Sequence, residues 1–364
     1  MKKLKYLWAY SAENEEAKNW HSKLIHERIE KGYDIKPFCL TPDYLNNGQW
    51  IPYYRLDELW KIGYEPLLRM YHELLIALED RDVLIHYNGA NIHKDIITKI
   101  QQFKVYTCGD DPESTDNLSK PVAKYYDICL VNNIAVVDMY KSWGIKNVFF
   151  QPLGSKVFPQ EISIDENDIL DISKRNIKLA YVGEYNAYKK ELFDLIVSRF
   201  PDARCYGNGW SKGKIADSDM IELYYGSQMG FNVHNSSGPI NFRLYELPAY
   251  GVMQLCDNKG NLDDVFKLGE EVIGFDTAEE CIKQIEYYWN HEKEQREIAL
   301  NGWNRWKNEY TPMAVWERMA RVIDEYYLTS NVRTNIDLLD QYIYDQRKRH
   351  PVYKAMYSLR RLVK

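Results

Sequence analysis

Asn241, Arg243 and Glu246 place an amide, a fixed cation and a carboxylate close together in the chain. They follow an apolar segment at residues 229–234 and a small polar turn at residues 235–237, which predicts a strand, a loop and the start of a helix. Such a loop presents free backbone N–H groups that suit a phosphate, and a carboxylate one turn later could accept hydrogen bonds from sugar hydroxyls. An ordinary turn with a surface Arg and Glu explains the same residues equally well.

The elements that must position these residues follow a regular pattern. Strand-like and helix-like apolar segments alternate through residues 4–150, and the alternation restarts after a Pro- and Gly-containing, acidic stretch at residues 151–174. Short apolar strands alternating with helices predict parallel doubly wound sheets. We therefore predict an α/β protein with Rossmann-like domains at residues 1–155 and 176–330, joined by a linker at residues 156–175.

Composition limits the class of protein. Of the 364 residues, 45% are hydrophobic and 27% are charged, which is typical of a soluble globular protein. The net charge of −6 argues against a general nucleic-acid binder. Six widely spaced cysteines without a C-x-x-C pair predict reduced thiols and a cytoplasmic location. There is no G-x-G-x-x-G motif, so a nicotinamide-dependent function has little support.

The C-terminal segment, residues 331–364, has a basic end. From residue 347 onward it carries seven Lys and Arg residues and no acidic residue. A basic amphipathic segment can make weak contact with an anionic membrane surface. A solvated helix, or one that crosses back to the first domain, is the alternative that we favour.

The N-x-R-x-x-E spacing of Asn241, Arg243 and Glu246, followed by an apolar run and Gly251, resembles a known family. It is similar to the donor-site helix of GT-B glycosyltransferases, in particular the group called CgeB-like or spore maturation glycosyltransferase-like and the family-4-like enzymes. The resemblance covers residues 103–325. It implies two Rossmann-like domains whose parallel sheets face each other across a cleft, and transfer of a sugar from a nucleotide-sugar.

The resemblance implies a donor site in the second domain. Glu246 would hold the nucleotide ribose, and Asn241, Arg243 and either Lys189 or Lys190 would hold the phosphates of a UDP-, GDP- or dTDP-sugar. The other residues implied to contact the donor are Gly183, Tyr188, Tyr206, Gly207, Asn208, Lys214, Gly238, Ile240 and Phe242. His234 and Asn235 are donor candidates as well, because they lie at the carboxyl end of a predicted strand, where open α/β sheets bind ligands.

One residue departs from the family pattern. Larger relatives carry a second Glu eight residues before the helix Glu, and this chain has Gly238 there. The departure puts in question how the transferred sugar would be held, and with it the retention of anomeric configuration that the family-4-like resemblance implies.

No essential metal ion is predicted, because preplaced cations and amides can stabilise the leaving diphosphate without one. The Asp-Ser-Asp sequence at residues 217–219 matches the D-x-D motif of metal-dependent glycosyltransferases. It precedes a predicted helix, however, and an Asp in that place is typical of an N-cap.

Candidate acceptor-side residues lie in the first domain. Asp110 and Asp111 end a predicted strand, and their Gly-Asp-Asp-Pro block at residues 109–112 also resembles the CgeB-like group. Either carboxylate could orient the acceptor hydroxyl or take its proton, the latter in an inverting displacement. A strand-end turn whose Asp bonds nearby backbone is the structural alternative. His86, at the end of the preceding strand, is a further catalytic candidate.

Two other functions stay open at this stage. One is a GT-B-like protein without catalytic activity that binds a nucleotide or glycan in a surface or spore-coat assembly. The other is a glycosyltransferase that acts on nucleic acid, which the acidic net charge opposes. The resemblance favours a transferase whose acceptor is a glycan, a protein or a small molecule.

Overall fold

The structure is a computed structural model, and it describes residues 3–185, 187–258 and 260–328. The basic segment at residues 331–364, with its predicted membrane contact, lies outside the described residues. The side chain of Tyr188, a predicted donor contact, also lies outside them.

Two sheets form the framework, and every strand pair in them is parallel. The first sheet has the strand order β2-β1-β3-β4-β5-β6 and the second has the order β11-β10-β9-β7-β8. The prediction of an α/β fold with two parallel sheets is therefore confirmed. The strands are β1 Lys5–Tyr10, β2 Asp34–Cys39, β3 Val83–Tyr87, β4 Phe103–Cys108, β5 Ile128–Val131, β6 Val148–Phe150, β7 Ile177–Val182, β8 Arg204–Tyr206, β9 Ser227–Asn232, β10 Met253–Asp257 and β11 Ile273–Phe275.

Helices connect most of the strands, as a parallel sheet requires. They are α1 Glu15–Glu30, α2 Tyr53–Lys61, α3 Glu65–Leu78, α4 Lys94–Ile97, α5 Val137–Ser142, α6 Glu166–Leu170, α7 Lys190–Arg199, α8 Asp217–Tyr225, α9 Arg243–Ala249, α10 Leu262–Val265, α11 Ala278–Trp289, α12 Glu292–Glu309 and α13 Pro312–Tyr327.

Short polar side chains fix where several helices begin. Asn14 accepts a hydrogen bond from the backbone of Ala17 at the start of α1, and Thr277 accepts one from the backbone of Glu280 at the start of α11. Between α2 and α3 the chain turns at Gly63, whose φ of 59° is left-handed. The long apolar segment there is accordingly two helices.

The chain divides into two compact units. The first comprises residues 3–132, 136–151 and 316–328, and the second comprises residues 133–135 and 152–315. The predicted linker groups with the second unit, where its helix α6 buries Ile169 completely.

Each unit has an apolar core around its sheet. In the first unit, the strand residues Leu7 and Leu84 and the α3 residues Leu67 and Leu74 are fully buried in one cluster. In the second unit, Phe231 of β9 and Leu247 of α9 are fully buried. Burying such side chains contributes roughly 1.5–3 kcal/mol each, and this packing holds the strand ends in fixed places.

Two buried arginines clamp the second unit at the end of the sheet where β9 begins. Arg175 and Arg296 are 2% and 3% exposed. Both donate to main-chain carbonyls, and burial lowers the pKa of Arg175 to about 10 and that of Arg296 to about 9. The four acceptors are the main-chain oxygens of Ser227, Gln228, Tyr250 and Gly251.

None of the described helices combines the length and the apolar character needed to cross a bilayer.

Candidate functional site

The order of the second sheet points to one place for a ligand. The chain order reverses between the neighbouring strands β7 and β9, and ligands of open parallel sheets bind beyond the carboxyl ends of strands at such a reversal. β7 ends at Val182 and β9 ends at Asn232. The residues that follow these strands, together with α9, form what we call the switch-point site.

Arg243 lies across the two strand ends of this site. Its Nε donates to the carbonyl of Val182 at 2.8 Å, and its Nη1 donates to Oδ1 of Asn232 at 3.0 Å. The guanidinium carbon stands 4.5 Å from the centre of the Tyr181 ring. The guanidinium is therefore held in a fixed position at the strand ends, where a half-buried cation suits an anionic ligand.

The loop that follows β7 approaches Arg243 closely. A Cβ added to Gly183 would lie 2.1 Å from Nη2 of Arg243, so a larger residue there would push the guanidinium out of its position. The same loop is bonded to the loop after β8, because Gly183 donates to the carbonyl of Tyr206 at 2.9 Å and Tyr185 donates to that of Asn208 at 2.8 Å. Trp210 adds a third bond, from its indole nitrogen to the Gly183 carbonyl at 2.9 Å.

Asn241 organises the start of α9. Its amide exchanges two hydrogen bonds with the amide of Asn232, at 2.9 and 3.1 Å, and its Oδ1 accepts from the backbone of Leu244 at 2.8 Å. Asn241 therefore ties the helix start to the end of β9. These bonds occupy the polar atoms with which it was predicted to contact a phosphate.

Glu246 supplies the switch-point site with a carboxylate that is available to a ligand. Its side chain is half-buried, and among the described residues no group donates a hydrogen bond to it. Burial raises the pKa of Glu246, while the charges of Lys156 and Arg243 oppose that rise. An acid that is held partly away from water without a partner is suited to accept hydrogen bonds from a ligand.

A second polar network lies at the end of β10. The backbone N–H of His234 donates to Oδ2 of Asp257 at 3.0 Å, and the ring Nδ1 lies 2.6 Å from Oδ1. The ammonium of Lys189 is 3.3 Å from Oδ2 of the same carboxylate. This network places two predicted donor residues, His234 and Lys189, side by side.

The sequence analysis did not identify Asp257. Asp257 is the last residue of β10, which runs Met253–Asp257. A carboxylate at the carboxyl end of a predicted parallel strand is a signal that would have found it.

Replacing Asp257 by Asn is expected to lower the free energy of unfolding by about 2 kcal/mol, because charge-assisted hydrogen bonds to His234 and Lys189 are lost. Burial pushes the pKa of Asp257 upward, but bonds from His234 and the charge of Lys189 outweigh it and lower the pKa. Its stabilising effect is therefore present above the unfolded-state value of 3.8 and disappears as pH falls through the lower folded-state value.

Urea unfolding of wild type and of Asp257→Asn between pH 3 and pH 7 measures this effect. The difference between the two proteins should shrink toward the acid end of the range. An equal difference at every pH would contradict the assignment of the stabilisation to the Asp257 charge.

Ligand atoms of His234, Cys256 and Asp257 all lie within 4.8 Å of one another. The Asp257 carboxylate is engaged by the His234 ring and by the Lys189 ammonium, so these contacts form a hydrogen-bonded network. The prediction that no metal is essential stays a prediction.

The Asp-Ser-Asp motif is at the start of a helix, as predicted. Asp217 and Asp219 are exposed in the first turn of α8. The N-cap position is held by Ala216, however, so the expectation that one of these Asp residues is the cap was wrong.

The remaining predicted donor residues have mixed environments. Lys190 is exposed and pairs with Asp194, and Lys214, Asn208 and Asn235 are exposed. Tyr206, Gly207, Ile240 and Phe242 are partly exposed, and Gly238 is buried.

Gly238 lies in a space that excludes a larger side chain. An added Cβ would stand 1.8 Å from Oδ1 of Asn133 and 3.0 Å from the Cβ of Ala135, both residues of the same unit. The Glu that larger relatives carry at this position would therefore require the loop to rearrange.

The predicted acceptor-side residues belong to the first unit, and they differ in accessibility. Asp110 is exposed at the end of β4, where it accepts a hydrogen bond from Asn88 at 2.8 Å. Asp111 is fully buried and accepts from Tyr140 at 2.6 Å. His86 is also fully buried, and burial lowers its pKa to about 4.

Both ring nitrogens of His86 have partners. Nδ1 lies 2.5 Å from the hydroxyl of Tyr126, and Nε2 lies 2.7 Å from the carbonyl of Ala90. The catalytic assignments of His86, Asp110 and Asp111 stay predictions, and accessibility favours Asp110 among the three.

Comparison with known proteins identifies a glycosyl transferase-like region and a fold. Residues 189–321 match a family model described as glycosyl transferase-like, which is less than half of the chain. The chain is similar in structure to a glycosyltransferase from Rickettsia africae, with a TM-score of 0.61 and 10% identity over 91% of this chain and 100% of that one.

Two further structures are similar. Sucrose-phosphate synthase from Thermosynechococcus elongatus has a TM-score of 0.60 and 11% identity, over 90% of this chain and 100% of that one. HepE from Anabaena, solved in complex with UDP-glucose, has a TM-score of 0.59 and 12% identity, over 88% of this chain and 100% of that one. Among curated protein sequences none matches significantly. The chain therefore has the GT-B fold, and its second unit contains a glycosyl transferase-like region.

Proposed function

We propose that this protein is a glycosyltransferase that moves a sugar from a nucleoside diphosphate sugar to an acceptor hydroxyl. The fold and the match at residues 189–321 support the class of reaction. The switch-point site supports the kind of donor, because it combines a fixed cation, a glycine loop and an open carboxylate.

The observation that carries the proposal is the open carboxylate of Glu246. A ribose presents two neighbouring hydroxyls, which a carboxylate can accept as a pair of charge-assisted hydrogen bonds. Arg243 and Lys189 supply positive charge for the diphosphate, whose negative charge grows as the bond to the sugar breaks. Because Arg243 is already held by Val182 and Asn232, little reorganisation is needed when that charge develops.

Within this function we infer a CgeB-like or family-4-like transferase, supported by the N-x-R-x-x-E spacing of residues 241–246. A family-4-like assignment favours retention of anomeric configuration. Asp110 is the proposed group that faces the acceptor, since it is the exposed carboxylate of its block. UDP is the proposed nucleotide, because the similar HepE structure holds UDP-glucose.

A thermal-shift panel of UDP, GDP, dTDP and CDP and their glucose conjugates tests the donor. We expect UDP and UDP-glucose at about 1 mM to raise the melting temperature, since a micromolar site gives a stabilisation of roughly 4 kcal/mol at that concentration. A panel in which none of the nucleotides changes the melting temperature would contradict the proposed donor site.

The second candidate is a GT-B-like protein that binds a nucleotide-sugar without turning it over. The buried Gly238 favours it, because the chain lacks the Glu that larger relatives carry at this position and a larger side chain there would displace Asn133. An assay for slow hydrolysis of the bound nucleotide-sugar, read as the release of free nucleotide, distinguishes the two candidates. Hydrolysis that Glu246→Ala abolishes supports the enzyme, and binding without any hydrolysis supports the second candidate.

A further inference from the structure

The first unit contains a pocket that the switch-point site does not include. Its volume is about 520 Å³, within the usual range for small-molecule sites. Its walls come from α2, which follows the loop after β2, and from the first turn of α4, which follows β3. We call it the α2–α4 pocket.

A stack of three rings forms the rigid wall of this pocket. The ring of His93 lies between those of Tyr53 and Trp60, with ring centres 5.6 Å and 5.4 Å away. The Nε2 of His93 is 3.2 Å from Oδ1 of Asp57, and the Trp60 indole donates to Oδ2 of Asp95 at 3.0 Å. The wall therefore presents flat aromatic surface beside carboxylates whose positions are set.

The loops that carry the wall are also fixed. Asn91 donates to the carbonyl of Leu40 at 2.8 Å and accepts from the backbone of Ile51 at 2.8 Å. The hydroxyl of Tyr71 accepts from the backbone of His93 at 2.9 Å and donates to the carbonyl of Asn91 at 3.1 Å. The pocket is thus preorganised, which reduces the entropy lost on binding.

Two side chains of the pocket, Tyr54 and Lys94, are available to a ligand. Tyr54 leaves 67% of its surface exposed, which is unusual for a large aromatic residue. Within the described residues, the ammonium of Lys94 forms no ion pair. Aromatic surface and an available hydrogen-bond donor together suit a polar ligand.

The charged side chains of the pocket indicate a neutral ligand. The two negative charges of Asp57 and Asp95 equal in number the two positive charges of Lys61 and Lys94. The net charge of these four side chains therefore favours neither an anionic nor a cationic ligand. A sugar presents hydroxyls that both donate and accept hydrogen bonds, and its C–H faces pack on aromatic rings. This combination of groups matches a carbohydrate better than a charged metabolite.

We propose that the α2–α4 pocket binds a neutral carbohydrate, which is the acceptor glycan if the glycosyltransferase function proposed above holds. Tyr54 supplies the stacking surface, Lys94 donates to a ring or hydroxyl oxygen, and Asp95 accepts from a sugar hydroxyl. The proposal for the binding of carbohydrate rests on the pocket alone.

Saturation-transfer NMR on the full chain tests it. The probes are glucose, galactose, N-acetylglucosamine, maltose, cellobiose and lactose, with glucuronate and glucose 6-phosphate as charged comparisons. We expect transfer to at least one neutral sugar, and a loss of affinity of about tenfold in Tyr54→Ala and in Lys94→Ala, equivalent to about 1.4 kcal/mol each. Tyr287→Ala, which removes an exposed Tyr from the second unit, should bind as wild type does.

Three outcomes would overturn the proposal: no transfer to any neutral sugar, transfer only to the charged probes, or equal affinity in wild type and both pocket variants. UDP thermal shifts are measured on the same proteins. A normal UDP shift without sugar binding would remove this proposal alone. Sugar binding that maps to Tyr54 and Lys94 without any nucleotide shift would remove the donor proposal and leave this one standing.

Discussion

Replacing Glu246 by Gln is expected to raise the melting temperature of the ligand-free protein and, at the same time, to weaken nucleotide binding. The two effects have one cause. The carboxylate is held partly away from water without a hydrogen-bond partner among the described residues, so it costs stability until a ligand supplies the partners. Gln keeps the shape but removes the charge, and the loss of charge-assisted bonds should weaken donor binding by about 10- to 100-fold.

The stability effect has a definite pH dependence. Because the pKa of Glu246 is raised above its unfolded-state value of 4.5, the folded protein keeps the proton to a higher pH than the unfolded chain does. Stability from this group is therefore greatest below pH 4.5 and falls as pH rises through the folded-state pKa. In Glu246→Gln that fall is absent, so the variant gains most at neutral pH.

Melting curves with and without UDP, recorded at pH 4 and pH 7.5, measure both effects together. Glu286→Gln, an exposed Glu of α11, is the matched control and should change neither stability nor the UDP shift. A Glu246→Gln protein that binds UDP as tightly as wild type would remove Glu246 from the donor site.

Replacing Gly207 by Ala is expected to be the most destabilising single substitution at the switch-point site. Gly207 has a φ of 133°, and an added Cβ would lie 2.0 Å from the carbonyl oxygen of Gly183. Main-chain strain and an overpacked backbone contact together should cost about 3 kcal/mol. The same change pushes the loops after β7 and β8 apart, so nucleotide binding should weaken as well.

Gly213→Ala is the control for this substitution. Gly213 lies in the same loop and is also left-handed, with a φ of 66°, but nothing lies within 4 Å of the place an added Cβ would occupy. It should cost only about 1 kcal/mol for the backbone conformation. Urea unfolding and UDP binding of both variants separate the effect of the close contact from the effect of backbone strain. Equal losses of stability and of UDP affinity in the two variants would show that the contact with Gly183 does not matter.

Local patterns in the sequence were sufficient to predict the framework. Apolar strand segments that alternate with helix segments predict parallel sheets, and both sheets of this chain follow that pattern. The turn between α2 and α3 lies at Gly63, and glycine is the residue type that most readily adopts a left-handed conformation. The edges of elements were less predictable. β9 begins at Ser227, ahead of the apolar segment at residues 229–234 that predicted the strand, because its pairing with β7 decides where the strand starts.

The polar contacts of the site depend on distant pairs, which a single sequence does not reveal. Arg243 was predicted as a phosphate ligand. Its hydrogen bond to Val182 was not predicted, because the two residues are 61 positions apart in the chain. Asp257 acquires its role from His234, 23 positions earlier. The α2–α4 pocket brings Tyr53 and His93 together across 40 positions, so its residues carried no local signal.

The arginine clamp of the second unit has a consequence for tolerance to mutation. Arg175 and Arg296 donate to four carbonyl groups of the main chain, and every amino acid carries that oxygen. Substitution of Ser227, Gln228 or Tyr250 therefore keeps the acceptor oxygen in place, whereas substitution of either arginine removes its bonds at once. Gly251 is the exception among the acceptors, because its φ of 66° is left-handed and an added Cβ would lie 2.7 Å from Nη2 of Arg175. In a mutational scan we therefore expect these hydrogen bonds to be most sensitive at the two arginines and at Gly251.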